Sequence, residues 1–235
     1  MSSAFFRVVW RELRAAFGSP VAYIVTVIFL TVTGWFFFTP FFLNGRADLR
    51  EFFRLLPMTL GLVVPAVTMR VFAEEFSTGS YEVLTTLPMT RFDVLLGKFT
   101  GSLLFILLML VPTLAYPIIV ATLGDLDPGP VVGGYLGTIL LAALYCSVGL
   151  FASALTKNQI VAFIIGLALC AFLVLIDKVL FFIPPSLTGV LQYLGADYHF
   201  GNVAKGVIDS RDVVYFLSAT FVGLYATNLV VERRI

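Results

Sequence analysis

Residues 21–43 read VAYIVTVIFLTVTGWFFFTPFFL, 23 positions without a charged side chain. At the rise of an α-helix, about 1.5 Å per residue, such a run crosses the roughly 30 Å hydrocarbon core of a bilayer. A secretory leader has a shorter apolar centre, roughly 7–15 residues, and a small-residue cleavage site after it. Neither is present, so the run is expected to remain as a first span. Five more charge-free stretches follow, at 55–69, 99–123, 130–155, 160–176 and 213–231. The predicted fold class is an all-α polytopic membrane protein with six transmembrane helices. The second stretch, LLPMTLGLVVPAVTM, is short and contains Pro57 and Pro65. It must draw on flanking residues, or bend against neighbours that satisfy the carbonyls its prolines free. Pro112 and Pro117 should bend the third.

Composition agrees. Of 235 residues, 60% are apolar and 12% charged, where a soluble domain carries about 25% charged residues. One aqueous core of this size could not hide so much apolar surface. The net charge of +1 gives no reason to expect a nucleic-acid partner. Cys146 and Cys170 both fall inside apolar runs and are read as buried free thiols, not as a disulfide framework or a metal site.

Ahead of the first span, residues 5–17 read FFRVVWRELRAAF. Phe6, Val9, Trp10, Leu13 and Phe17 recur at helical spacing, with Arg7, Arg11 and Arg14 on another face. A basic amphipathic helix with aromatic anchors suits the cytoplasmic surface of a membrane, so residues 1–19 are expected to form an interfacial helix in contact with lipid. Ser19-Pro20 supplies a cap and a first-turn proline for the span that follows. Six spans place both termini on one side. With that side inside, Arg7, Arg11, Arg14, Arg70, Arg91, Lys98, Lys157, Arg233 and Arg234 are cytoplasmic. Arg46, Arg50, Arg54, Lys178, Lys205 and Arg211 are then external. The short loop 124–129 has only Asp125 and Asp127, whereas the turn 156–159 has Lys157. Both biases favour an N-in, C-in orientation. Two longer segments lie between spans, 70–98 inside and 184–212 outside, and the whole of 1–235 reads as a single transmembrane domain.

The chain carries no energy source of its own. Ion-coupled carriers generally hold ionisable groups near mid-membrane, and the six runs contain none; Asp177 and Lys178 come at the outer end of the fifth. Gly97-Lys98 resembles the tail of a phosphate loop, but Phe99 replaces the Ser/Thr, and Phe92 stands where the leading glycine belongs. The single histidine, His199, stands outside any HExxH motif. No catalytic, cofactor-binding or metal-binding residues are expected, and any work done here draws on another polypeptide.

The inside segment RVFAEEFSTGSYEVLTTLPMTRFDVLLGK, 70–98, is the most informative. Ser80 can cap a short helix, YEVLTTL, that Pro88 must end. Thr90 with Asp93 makes a capping box for the helix that continues into the third span. Tyr81, Leu84 and Leu87 give the short helix an apolar stripe suited to a groove on a partner.

These residues resemble those of the permease subunits of type-2 ABC exporters, in particular the GldF-like branch. The features that carry the resemblance are Glu74-Glu75, Gly79-Ser80, Glu82, Leu84 and Pro88, with TKNQIVA at 156–162 and DYHF…KGVIDSRDVVYFLS at 197–218. Phe76 stands where that family often has a basic residue, and Ser80 replaces a threonine. The resemblance implies that 74–90 is a coupling helix, with Glu74, Glu75, Gly79, Ser80, Glu82, Leu84, Leu87 and Pro88 meeting a separate ATP-binding cassette subunit. Arg7, Trp10, Arg11 and Arg14 of the interfacial helix would assist. ATP and Mg would reside on that partner, and a second copy of the chain or a related permease would complete the path. The 184–212 segment would form short external helices that partly re-enter the membrane. The resemblance further implies a bacterial inner (cytoplasmic) membrane location. It also implies a gliding-motility or secretion-type complex, with an accessory subunit bearing a large extracytoplasmic domain.

Gly129, Gly133 and Gly137 recur every fourth position where the fourth span begins, with Gly149 and Ser153 near its end. Small residues at this spacing let helices approach, and packing within the subunit is preferred over a dimer seam. His199 is read as a satisfied loop histidine in preference to an external ligand or pH-sensitive group. Against the exporter permease stands one reading from another class: a non-transporting scaffold subunit of an ATPase-linked machine. A permease needs a polar-lined path between subunits; a scaffold does not.

Overall fold

A computed structural model describes residues 3–44, 47–81, 90–179, 189, 192–207 and 209–233. Among them every regular element is helical. In chain order they are α1 (Ser3–Phe17), α2 (Pro20–Asn44), α3 (Arg50–Thr68), α4 (Arg70–Thr78), α5 (Arg91–Leu110), a 3-10 turn (Val111–Leu114), α6 (Ala115–Leu123), α7 (Pro128–Leu155), α8 (Gln159–Val179), α9 (Ala196–Ala204) and α10 (Ser210–Glu232). Six segments are long and apolar enough to cross a membrane: Pro20–Leu43, Arg50–Thr78, Arg91–Leu123, Pro128–Leu155, Gln159–Lys178 and Ser210–Glu232.

The short second stretch is lengthened at both ends. It begins at Arg50 and continues through a break at Met69 into α4, 29 residues in all. The third span is interrupted at Pro112, while Pro117 lies within α6. The 3-10 turn at Val111–Leu114 separates α5 from α6, and the Tyr135 hydroxyl donates to the Thr113 carbonyl at 2.9 Å. The carbonyl is thereby satisfied from a neighbouring helix, as a break inside lipid demands. Ser19 accepts from the Val21 N–H at 3.3 Å, and the Thr90–Asp93 capping box is present in both directions.

The fourth span, α7, is the centre of the bundle and touches α3, α4, α5, α8, α9 and α10. Its buried face is built of small residues, among them Gly133, Gly134, Gly137, Ala142, Cys146, Gly149 and Ser153. Neighbouring backbones can therefore approach where bulk would hold them away. Phe53 rests on Gly134, where a Cβ would meet its ring at 2.4 Å. From there an aromatic cluster of Phe37, Phe52, Tyr116 and Tyr135 ties together spans one to four. Gly133 and Gly137 face Val203 and Phe200 of α9, so they serve packing within the subunit. Gly129 lies against Gly206, whose φ of 86° favours glycine.

Of the segment between spans five and six, α9 is described. Its His199, Phe200 and Val203 are buried. His199 Nδ1 lies 2.6 Å from Asp212 and Nε2 lies 3.2 Å from the Tyr193 carbonyl, while the ring stacks on Tyr215 at 4.0 Å. His199 is a satisfied histidine that pins α9 to span six.

Candidate coupling site

Charge collects at one place on the N-terminal side of the bundle. Lys98, near the start of span three, is fully buried. Its ammonium donates to Glu12 Oε1 of α1 at 3.1 Å and to the Val71 carbonyl at 2.9 Å, and it pairs with Glu75 Oε1 of α4 at 2.8 Å. Arg11 bridges the same two carboxylates, at 2.9 Å from Glu12 and 2.7 Å from Glu75. The Lys98 ammonium also lies 5.1 Å from the centre of the Phe72 ring. Two cations and two carboxylates thus join α1, α4 and α5. Burial would raise the Glu12 carboxyl, but the Lys98 and Arg11 charges outweigh it and hold the group below its ordinary value. Burial opposes the charge on Arg11, and Glu12 and Glu75 more than offset it.

Such a cluster can form only because α1 and α5 approach very closely. A Cβ at Gly97 would meet Val8 at 2.7 Å, and one at Gly101 would meet the Glu12 Cβ at 2.7 Å. This Gly-x-x-x-Gly pair is the seat of α1, and its signal, two glycines four apart beside a lone lysine, stands in the sequence. We find Val8 and Val9 buried against it, while Phe6 and Trp10 are 68% and 64% exposed. The apolar stripe of α1 therefore divides, part onto the protein and part outward.

The break between α3 and α4 is held from the centre of the bundle. Ser153 donates to the Met69 carbonyl at 2.8 Å and accepts from the N–H groups of Phe72 and Ala73 at 3.0 and 3.1 Å. One hydroxyl thus satisfies three backbone groups that the break leaves without helical partners. Lys98 takes the next, the Val71 carbonyl. Gly79 ends α4 in the left-handed conformation, φ 71°. Ser80 Oγ lies 2.8 Å from Thr78 Oγ1.

The residues expected to meet a partner are distributed unevenly. Glu74 is exposed. Glu75 is engaged within the subunit, and Tyr81 turns inward onto Phe72 and Phe76 at ring distances of 6.3 and 5.0 Å. Arg14 is exposed on α1. Glu82, Leu84, Leu87 and Pro88 lie outside the described residues. Apart from this cluster, Arg91 pairs with Glu232 at 3.2 Å. Among the described residues no three metal-ligating side chains come together.

The model of one family, the ABC-2 family transporter proteins, matches residues 6–193, from α1 to beyond span five. The chain belongs to that family. As an ABC-2 family transporter protein it is the membrane component of a transporter and is not itself catalytic. Comparison with curated proteins finds no match.

Proposed function

We propose that this ABC-2 family transporter protein is the permease subunit of an ATP-driven exporter, powered by a separate ATP-binding cassette subunit that carries the ATP and Mg. In this reading 1–235 is one permease domain, N-in and C-in, in a bacterial inner membrane. It pairs with a second copy or a related permease, and the GldF-like features favour a gliding-motility or secretion-type complex with an accessory extracytoplasmic subunit. α1 lies in the cytoplasmic interface, with Arg7 and Trp10 toward lipid. Residues 74–90 receive the ATPase.

The observation that carries the reading is the build of α4. It continues span two, is clamped to α1 and α5 by the Glu75–Lys98–Arg11–Glu12 cluster, and is bonded to span four through Ser153. A push on the segment that follows α4 is therefore delivered to spans two, three and four together. A scaffold has no use for such a joint. Leu84 and Leu87 are the proposed anchors, because a buried leucine lost from an interface costs about 2–5 kcal/mol. An exposed Glu82 pair contributes about 0–1 kcal/mol. At matched membrane expression, Leu84→Ala with Leu87→Ala should abolish co-purification of the ATPase, while Glu82→Ala leaves it. Retention of the ATPase by the leucine variant, with loss on deleting α1, would move the docking surface to α1.

A further inference from the structure

Beside the ion cluster, residues of α1, α3, α4 and α5 line a partly open cavity of about 360 Å³. Its lining is mixed: Ala16, Val67 and Phe105 are apolar, whereas Arg11, Arg70 and Glu75 are charged. Two of the charged groups have unmet demands. Arg70 is half-buried and hydrogen-bonds to Ser19 Oγ, with no carboxylate in ion-pair range among the described residues. Glu75 uses Oε1 for both Arg11 and Lys98, while Oε2 is buried with no hydrogen-bond partner among the described residues. A guanidinium without a counter-ion calls for an anion, and a buried carboxylate oxygen calls for an N–H donor.

The geometry points to a phospholipid-headgroup site, selective for a head that bears both a phosphate and a primary ammonium, as in phosphatidylethanolamine. The phosphate accepts from Arg70 and Arg11, the Glu75 carboxylate turns to present Oε2 to the ammonium, and the glycerol end lies along Ala16, Val67 and Phe105. A purely anionic head is disfavoured, because Glu12, Glu74 and Glu75 share the lining with the two arginines. A choline head is disfavoured because its nitrogen has no N–H to donate. Basic pockets between helices near the cytoplasmic surface are known to take lipid heads; this one adds a carboxylate that reads the ammonium. The bound lipid would connect α1 to α4 at the joint described above. The inference rests on α1 lying at a membrane surface, but not on the identity of any ATPase, and its test reads binding alone.

The test is native mass spectrometry of the delipidated full chain in detergent, titrated with phosphatidylethanolamine, phosphatidylcholine and phosphatidylglycerol of matched acyl chains. Phosphatidylethanolamine should be retained about tenfold more than either of the others, equivalent to about 1.4 kcal/mol. Arg70→Gln should lower phosphatidylethanolamine retention about tenfold, and Glu75→Gln should remove the preference. Ala15→Phe, which fills the cavity from α1 without touching a charge, should do the same, so the assignment stays testable if the arginine variant does not fold. Soluble glycerophosphoethanolamine at equal concentration should not displace the lipid; displacement would mean that the cavity takes the free head and not a lipid. Equal retention of the three lipids, a preference for phosphatidylglycerol, or a preference unchanged in Ala15→Phe would overturn the proposal.

Discussion

Lys98 shows how much a single side chain can decide at the residue scale. Its ammonium is out of water, and its cost is offset only by two carboxylates, a carbonyl and an aromatic face. Removing one partner of a buried ion cluster typically costs about 3–5 kcal/mol, because the remaining charges stay buried without compensation. Lys98→Met should therefore lower the thermal stability of the detergent-solubilised protein sharply and expose Arg7, Arg11 and Arg14 to trypsin. Combining it with Glu12→Gln and Glu75→Gln should recover most of the loss, since the one charge then left unpaired, Arg11, has a side chain 45% exposed and can be hydrated. The acid dependence follows from Glu12, whose folded-state carboxyl lies below its ordinary 4.5. A depressed carboxyl contributes stability that is fully present above the ordinary value and is lost as pH falls through the lower folded value. The protein should keep α1 docked at pH 5 and release it only in stronger acid, and Lys98→Met should shift that release to higher pH. Full release of wild-type α1 at pH 5 to 6 would contradict this account.

At the scale of elements, the break at Met69 is the feature to probe. Ser153 and Ser147 both sit buried on α7, yet their hydroxyls do different things. Ser147 donates to Leu144 of its own helix, a carbonyl that already accepts within the helix, so little is left unmet on its removal. Ser153 satisfies three backbone groups of another element. Each buried group left without a partner costs about 1–3 kcal/mol. Ser153→Ala should thus destabilise by about 2–4 kcal/mol, against under about 1 kcal/mol for Ser147→Ala. Equal losses in thermal unfolding would show that the break is held by packing alone. Caps were legible in the sequence at this scale, because a Thr-x-x-Asp box bonds within four residues and needs no tertiary context. The role of Ser153 was not, because its partners are at least 80 positions away. The stripe of α1 was half legible: periodicity marks Val9 and Trp10 alike as apolar, but only the glycines of α5 determine that Val9 is buried and Trp10 is not.

For the whole molecule, orientation is the quantity to measure. The aspartates of 124–129 and Lys157 argue for both termini inside. Thr78→Cys and Lys157→Cys should be protected in intact cells from an impermeant thiol reagent, and Asp125→Cys labelled. The native Cys146 and Cys170 are fully buried and need not be replaced. Labelling at 157 with protection at 125 would invert the orientation.

The sequence by itself determined that the chain is a six-span helical membrane protein with an interruption at Pro112 and a capped start to span three. Those features depend on local runs, where hydrophobicity and backbone bonding are settled within one turn or one helix. Only the tertiary structure decided that Glu75 faces inward to Lys98, that Gly97 and Gly101 seat α1, and that Ser153 holds the break at Met69. A charge in a loop reads the same whether its partner is water, another subunit or a lysine 23 residues further along the chain. Low dielectric and close helix approach choose among these, and both arise only when the helices are assembled.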